Sequence, residues 1–160
     1  MYEEEKLAHD VYAFLSEKYT LPVFKNIAKS ENYHMSLVLE QIKNLGIKIP
    51  KKNELGVFEN NKLQNLYNDL TKTGSENIEK ALTVGATIED VDIFDLEERV
   101  AKTKNEDIKK LYEQLICGSE NHMRAFFRQL KYKNNTYIAQ FITENRLNII
   151  ISGEHKRCFQ

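Results

Sequence analysis

Hydrophobic residues recur at intervals of three and four along most of the chain, which is the spacing of one face of an α-helix. The pattern predicts long helices over residues 2–18, 22–45, 75–100 and 103–132, and a short helix over residues 61–71. Only two prolines and six glycines interrupt the 160 residues, so few breaks separate these segments. The sequence therefore predicts an all-α fold.

Residue types at the ends of the segments support these boundaries. Pro22 suits the first turn of the second helix, and Gly46 ends that helix. Ser75 is a suitable N-cap for the third long helix, and Thr103 with Glu106 matches a capping box for the fourth. Pro50 to Asn53 predict a loop between the second helix and the short helix.

The order of the segments predicts a specific bundle. The links after the first and third long helices are short, whereas residues 46–74 form a long crossover between the second and third. One such crossover is typical of ferritin-like four-helix bundles. We expect this bundle over residues 1–132, with residues 133–160 as a C-terminal strap that packs on it and has a mobile end over its last eight residues.

The balance of acidic and basic residues argues against nucleic acid as a partner. With 23 basic and 24 acidic residues, the net charge is −1, which gives no bulk attraction to nucleic acid. The one dense basic cluster, His155, Lys156 and Arg157, is interpreted as a solvated tail. We therefore expect no nucleic-acid partner.

The location of the protein is predicted from two further features. No apolar run approaches the roughly 20 residues of a membrane span, and the acidic start is unlike a signal peptide. Cys117 and Cys158 are interpreted as forming neither a disulfide framework nor a Cys-x-x-Cys motif. These features predict a reduced, cytoplasmic protein without a membrane partner.

One short motif occurs twice, and its second copy lacks one residue. Residues 30–35 read Ser-Glu-Asn-Tyr-His-Met, and residues 119–123 read Ser-Glu-Asn-His-Met. In the first copy Glu31 and His34 are three residues apart and share a helix face. In the second copy Glu120 and His122 are only two apart, so Glu120 is predicted to face solvent. The residue three before His122 is Ser119, which is not a carboxylate.

Inward-facing carboxylates and histidines on the predicted helices point to a metal site. From the second helix to the fourth, they are Glu31 and His34, Glu89 and Asp92, and His122. Carboxylates that converge in an apolar core repel one another and are poorly solvated unless cations neutralise them. A Glu-x-x-His pair from each of two helices, with one Glu from each of two others, is the ligand set of carboxylate-bridged di-iron bundles. Asp92, one turn from Glu89, is predicted to replace the carboxylate that is missing at Ser119.

The first helix offers two candidate ligands. Helical periodicity slightly favours Glu4, which aligns with Leu7 and Val11. The pattern Glu5-x-x-Ala8-x-x-x-Tyr12 instead resembles the first ligand helix of rubrerythrins, in which a Glu precedes an Ala by three residues and a Tyr by seven. We therefore predict Glu5 as the ligand, with Glu4 as the alternative.

Further motifs extend this resemblance over residues 3 to about 150. The matching stretches include residues 3–12, 21–28, 30–35, 56–58, 85–93, 118–126 and 137–141. Together they resemble the ferritin-like superfamily, and most closely a microbial branch of it. The resemblance implies a left-handed four-helix bundle, but Ser119 departs from the pattern of ferritins and rubrerythrins.

The resemblance also implies a chemistry. It predicts two iron ions, or manganese in their place, bound by Glu5, Glu31, His34, Glu89, Asp92 and His122, with Glu31 and Glu89 as candidate catalytic carboxylates. Ferritin-like relatives oxidise Fe(II) or reduce O2 or H2O2, so a non-haem di-iron oxidoreductase acting in oxidative stress or iron handling is expected. The sequence has no Cys-x-x-Cys pair, which implies an external electron donor. A homo-oligomer is also expected.

Two alternatives to this prediction remain open. The first is an iron-storage or DNA-protecting ferritin-like oligomer, although the charge balance opposes DNA binding. The second is a metal-free helical binding module in which the inward polar residues form a buried hydrogen-bond network.

Overall fold

The computed structural model describes residues 1–49 and 54–158, and these residues form helices and connecting segments without a β-strand. The helices are α1 (Tyr2–Lys18), α2 (Pro22–Asn44), α3 (Asn61–Gly74), α4 (Ile78–Lys102), α5 (Glu106–Tyr132) and α6 (Glu144–Ser152). The predicted all-α fold is therefore confirmed. The loop predicted at residues 50–53 lies outside the described residues. Among the described helices, none combines the length and the apolar composition that a membrane span requires.

The predicted N-cap at Ser75 is wrong. Ser75 follows the last residue of α3, and its backbone N–H donates to the carbonyl oxygens of Thr71 and Lys72. The side chain of Asn77 instead accepts a hydrogen bond of 2.8 Å from the backbone N–H of Lys80, in the first turn of α4. Both Ser and Asn are good capping residues, so the sequence alone did not distinguish between them.

The predicted capping box at Thr103 and Glu106 is also wrong. Asn105 is the N-cap of α5, and its side chain accepts hydrogen bonds from the backbone N–H groups of Asp107 and Ile108. Thr103 lies before the helix, where its hydroxyl oxygen accepts from the backbone N–H of Asn105. A carboxamide immediately before the helix thus replaces the reciprocal pair that the motif predicted.

The chain divides into two compact units, Met1–Ala81 and Leu82–Gln160, and α4 begins in the last residues of the first. In the first unit, α1 packs against both α2 and α3. The apolar stripes of these helices supply the core of the unit, which includes Val11, Tyr12, Leu15, Phe24 and Ile27. Because Pro22 begins α2 only four residues after Lys18, the connection between the two helices is short.

A buried ion pair on α1 holds residues 54–58 against this helix. The Lys6 ammonium pairs with the Asp10 carboxylate one turn later, and both residues are buried. Lys6 Nζ also donates to the Glu54 carbonyl oxygen at 2.8 Å and lies 4.4 Å from the centre of the Phe58 ring. Asp10 Oδ2 accepts a 2.8 Å hydrogen bond from the backbone N–H of Gly56. Residues 54–58 are therefore held at the first turns of α1.

In the second unit, α6 packs against α5. Its apolar core includes Leu115, Met123, Phe126, Leu130, Leu147 and Ile150. Gly85 on α4 is required by this packing, because a Cβ atom there would lie 2.5 Å from the Phe126 ring. The absence of a side chain at Gly85 is thus explained by the ring that fills the space.

A single buried carboxylate connects α4 to the segment before α6. Asp90 is completely buried and accepts a 2.7 Å hydrogen bond from the Tyr137 hydroxyl. It also accepts from the backbone N–H groups of Gln140, Phe141 and Ile142 at 2.6, 3.2 and 2.8 Å. Asp90 therefore satisfies four donors that the irregular segment could not satisfy within itself.

The two cysteines form a disulfide, which corrects the interpretation that they have no such role. Cys117 on α5 is bonded to Cys158, with their Cα atoms 5.5 Å apart across 41 residues of sequence. The pairing arises because the chain after α6 returns alongside α5, which residue spacing alone does not reveal. Of the end predicted to be mobile, residues 159–160 lie outside the described part of the chain.

Candidate metal centre

Three predicted ligands come together in the first unit, and we call them the first ligand group. Glu5 lies in the first half of α1, and Glu31 and His34 lie one turn apart in the middle of α2. His34 Nδ1 is 2.9 Å from Glu31 Oε2 and 3.3 Å from Glu5 Oε2. All three side chains are buried, and each offers a ligand atom within 4.8 Å of those of the other two.

The electrostatics of this group favour a bound cation. Burial raises the pKa of Glu5 to about 7, and the Glu31 carboxylate adds to the increase, whereas His34 opposes it. Burial lowers the pKa of His34, but the Glu31 and Glu5 carboxylates outweigh that effect and raise the pKa well above the ordinary value of 6.5. The two buried acidic side chains therefore favour positive charge at the imidazole between them, and a metal cation would supply such a charge.

The choice between Glu4 and Glu5 depends on their positions on α1. Glu4 pairs with the amino terminus at 2.7 Å, and 35% of its side chain is exposed. Glu5 lies beside His34, and its Oε1 atom is buried without a hydrogen-bond partner among the described residues. A buried oxygen of this kind fits a metal ligand, so the structure places Glu5 and not Glu4 in the group.

Three further predicted ligands, Glu89, Asp92 and His122, lie in the second unit, and we call them the second ligand group. Of the three, Glu89 and His122 are in direct contact. His122 Nδ1 on α5 is 3.4 Å from Glu89 Oε2 on α4, and both side chains are buried. Asp92 lies one turn after Glu89 on α4 and is half-buried. A carboxylate against an imidazole in a buried setting again suits a divalent cation.

Ser119 contacts Asp92 directly. Its completely buried hydroxyl donates a 2.6 Å hydrogen bond to Asp92 Oδ2, and it also lies 3.2 Å from the Leu115 carbonyl oxygen. Sequence reasoning identified Ser119 only as a missing carboxylate and did not predict this contact. The contact depends on two different helices, so no signal in the sequence around Ser119 indicated it.

The prediction that Glu120 faces solvent is wrong. Glu120 is 5% exposed and accepts hydrogen bonds from Arg146 Nη2 at 2.6 Å and Lys156 Nζ at 3.0 Å. Burial raises its pKa, but these two cations outweigh that effect and hold the pKa below its usual value. Helix α6 and the chain after it cover this face of α5. Glu120, which the helical period placed on the solvent side, therefore lies in a network of ion pairs. Lys156, predicted to belong to a solvated tail, is part of that network.

Comparisons with known proteins extend over nearly the whole chain. Residues 1–154 match a family described as "Uncharacterized protein domain (DUF2202)". The uncharacterized protein MJ0754 of Methanocaldococcus jannaschii is 49% identical over 158 residues, which are 98% of this chain and 85% of that protein. The crystal structure of the hypothetical protein MJ0754 from Methanococcus jannaschii has a TM-score of 0.96 at 48% identity, covering 98% of this chain and 90% of that one.

Proposed function

We propose that this protein, which belongs to the DUF2202 family of uncharacterized domains, is a ferritin-like di-metal protein that oxidises Fe(II) or reduces O2 or H2O2. The observation that carries the proposal is the first ligand group, in which Glu5, Glu31 and His34 are buried with their ligand atoms within 4.8 Å. The second ligand group supplies ligands for the second ion. The proposed ions are two irons, with manganese as the alternative.

The donor set suits iron, with manganese as the alternative. Carboxylate oxygens are hard ligands, imidazole nitrogen is accepted by iron and manganese, and neither ligand group contains a thiolate. Iron bound at these residues would supply the one-electron chemistry that the reduction of O2 or H2O2 requires. Glu31 and Glu89 are the proposed catalytic carboxylates, because each lies directly against the histidine of its group.

Proton release is the contribution of the first ligand group that follows from its own residues. His34 Nδ1 lies between Glu31 Oε2 and Glu5 Oε2, and these carboxylates raise the pKa of the imidazole. An imidazolium must lose one of its two ring protons to become a ligand, so a cation that binds protonated His34 would release one proton. The same two carboxylates that raise the pKa of His34 would then neutralise the cation.

The proposal requires a ferritin-like left-handed bundle whose four helices are α1, α2, α4 and α5. Four long helices and the long connection over residues 46–74 support that assignment. An external electron donor and a homo-oligomer belong to the same proposal. A cytoplasmic location is compatible with the Cys117–Cys158 disulfide in hyperthermophilic organisms, whose intracellular proteins retain disulfides.

The test is a metal titration of the full chain purified without chelators. We expect about two equivalents of Fe(II) to bind under anaerobic conditions, and metal analysis after desalting measures this number. Binding to the folded state at a free concentration 100 times Kd would stabilise the protein by about 2.7 kcal/mol, which calorimetry detects as a higher Tm. Mn(II) titrated in the same way tests the alternative metal.

Variants separate the site from non-specific binding. The double variant Glu31→Ala with His34→Ala is expected to lose one equivalent, whereas Glu40→Ala, an exposed position on the same helix, is expected to keep both. Less than one equivalent in the wild type, unchanged in the double variant, would contradict the proposal. That result, with an unchanged Tm, is what a metal-free helical binding module predicts. Oxygen consumption during Fe(II) addition then distinguishes oxidation from binding alone.

A further inference from the structure

The chain after α6 is bonded covalently to α5. Residues 153–158, which we call the terminal segment, follow α6 and end at Cys158, whose sulfur is bonded to Cys117. Both cysteine residues are partly exposed, so the bond joins two positions that are not sealed in the core.

The polar contacts of the terminal segment converge on the turn of α5 that precedes His122. Asn121 Nδ2 donates to the Lys156 carbonyl oxygen at 2.9 Å, and the Lys156 N–H donates to Asn121 Oδ1 at 3.1 Å. Lys156 Nζ pairs with the Glu120 carboxylate at 3.0 Å. Two consecutive residues immediately before His122 are thus held by the segment.

The disulfide is the strongest connection between the terminal segment and α5. Residues 153–157 are all exposed, so they bury no apolar side chain that would hold the segment in place. The Lys156 side chain is 58% exposed, so solvent screens its ion pair with the buried Glu120 and weakens this contact. Without the covalent bond, the entropy of a flexible chain end would outweigh contacts of this size.

We propose that the Cys117–Cys158 disulfide is a redox-active latch, and that its reduction by a dithiol releases the terminal segment and weakens metal binding at His122. This inference rests on the proposed function, because it names a regulator of the second ligand group. A thiolate of the dithiol attacks one sulfur of the disulfide, which forms a mixed disulfide and releases the other cysteine as a thiolate. The second thiolate of the dithiol then attacks the mixed disulfide and releases the remaining cysteine. Two electrons and two protons pass to Cys117 and Cys158, and the dithiol becomes a cyclic disulfide.

The coupling acts through the backbone of α5. Release of Lys156 removes the hydrogen bonds to Asn121 and one of the cations that neutralise the buried Glu120. We expect this loss of support beside His122 to weaken metal binding about tenfold, which is the lower end of the cost of losing a ligand's own hydrogen-bond partner. Because coupling between two equilibria is reciprocal, bound metal would lower the equilibrium constant for reduction of the disulfide by the same factor. A factor of ten corresponds to a reduction potential lower by about 30 mV for a two-electron couple.

The first experiment measures the latch without metal. Hydrogen exchange of the full chain is followed by mass spectrometry before and after reduction with tris(2-carboxyethyl)phosphine and removal of the reductant under argon. We expect faster exchange at residues 153–158 and 118–123 after reduction, and the same fast exchange in the Cys117→Ser, Cys158→Ser variant without reductant. Glu154→Ala, an exposed position of the terminal segment that keeps both the disulfide and the Asn121 contacts, is expected to leave exchange unchanged.

The second experiment measures the coupling with Mn(II) alone. Reduction is expected to raise the Kd of the equivalent at the second ligand group about tenfold and leave the first unchanged. The inference is overturned if reduction changes neither the exchange rates nor the Mn(II) affinities. It is also overturned if reduction changes the exchange rates but leaves both Mn(II) affinities as they were. A protein that binds no Mn(II) or Fe(II) in either state would contradict the proposed function, and the exchange experiment would still decide whether the latch exists.

Discussion

Ser119 on α5 and Asp92 on α4 are joined by a hydrogen bond at the position where a carboxylate was expected. A regular Glu-x-x-His pair would place a carboxylate at position 119, three residues before His122. The chain has a hydroxyl there, and this hydroxyl donates 2.6 Å to Asp92 Oδ2 on α4. A hydrogen bond from a hydroxyl to a carboxylate is charge-assisted and strong, so Ser119 orients the carboxylate that the second ligand group would use.

This relocation predicts the outcome of a ligand exchange. Asp92→Ala should lower the affinity for the second metal ion by at least about 100-fold. Loss of a ligand should cost no less than loss of a residue that only hydrogen-bonds to a ligand. The double variant Asp92→Ala, Ser119→Glu should recover binding, because the introduced carboxylate would lie three residues before His122 and share its helix face. Equilibrium dialysis with Mn(II) measures both affinities, with Glu98→Ala as the exposed control on α4. Unchanged binding in Asp92→Ala would show that Asp92 is not a ligand.

At the scale of elements, single buried side chains connect the helices to the irregular segments. Lys6 and Asp10 on α1 hold the segment at residues 54–58, and Asp90 on α4 holds residues 137–142. An irregular segment cannot satisfy its own backbone N–H groups, so a carboxylate on a neighbouring helix supplies the missing acceptor. These segments therefore depend on a few side chains for their backbone hydrogen bonds.

The Asp90 contacts predict a large stability effect. Asp90→Ala leaves four donors without their acceptor and should lower the free energy of unfolding by at least about 3 kcal/mol. Tyr137→Phe removes only one of the four donors and should cost about 1 kcal/mol. Urea unfolding followed by circular dichroism measures both variants. A loss in Asp90→Ala no larger than that in Tyr137→Phe would contradict the role assigned to this carboxylate.

At the scale of the whole molecule, several charged side chains are buried although the net charge is close to zero. The net charge is −1, yet Glu5, Lys6, Asp10, Glu31, Glu89, Asp90, Glu120 and Arg124 are all buried. Burial raises the pKa of Asp10, but hydrogen bonds from His9, Lys6 and Gly56 outweigh that effect and hold the pKa below its usual value. Ionised Asp10 therefore stabilises the fold, and acid would neutralise it.

The lowered pKa of Asp10 predicts how its contribution depends on pH. A carboxylate whose pKa is lower in the folded state stabilises the fold above its unfolded pKa, and this contribution is lost as the pH falls through the folded pKa. Asp10→Asn should cost about 3 kcal/mol at pH 7, because Lys6 loses its buried partner.

The measurement is urea unfolding of both proteins between pH 7 and pH 2.5. We expect the difference between wild type and Asp10→Asn to be constant above about pH 4 and to shrink below it. Asp69→Asn, an exposed position on α3, serves as the control and should follow the wild type throughout. A difference that stayed constant down to pH 2.5 would contradict the link between ionised Asp10 and stability.

The helices and the first ligand group were predicted from local sequence. Apolar residues repeat with the helical period within each segment, so α1, α2 and α5 begin and end within a few residues of the prediction. Glu31 and His34 were recognised because a spacing of three residues is enough to place two side chains on one helix face. The motif at Glu5, Ala8 and Tyr12 identified the third member.

The remaining features depend on contacts between residues that are distant in sequence. The Cys117–Cys158 bond, the burial of Glu120 and the hydrogen bond from Ser119 to Asp92 join positions separated by 41, 26 or more, and 27 residues. The period of a helix indicates which of its faces is apolar, but it does not indicate which other segment will cover a polar face. The sequence by itself therefore determined the helices and the Glu31–His34 pair, since both arise from local geometry. Only the tertiary structure decided what surrounds Cys117 and Glu120, because that environment is formed by α6 and the chain after it, which return to α5.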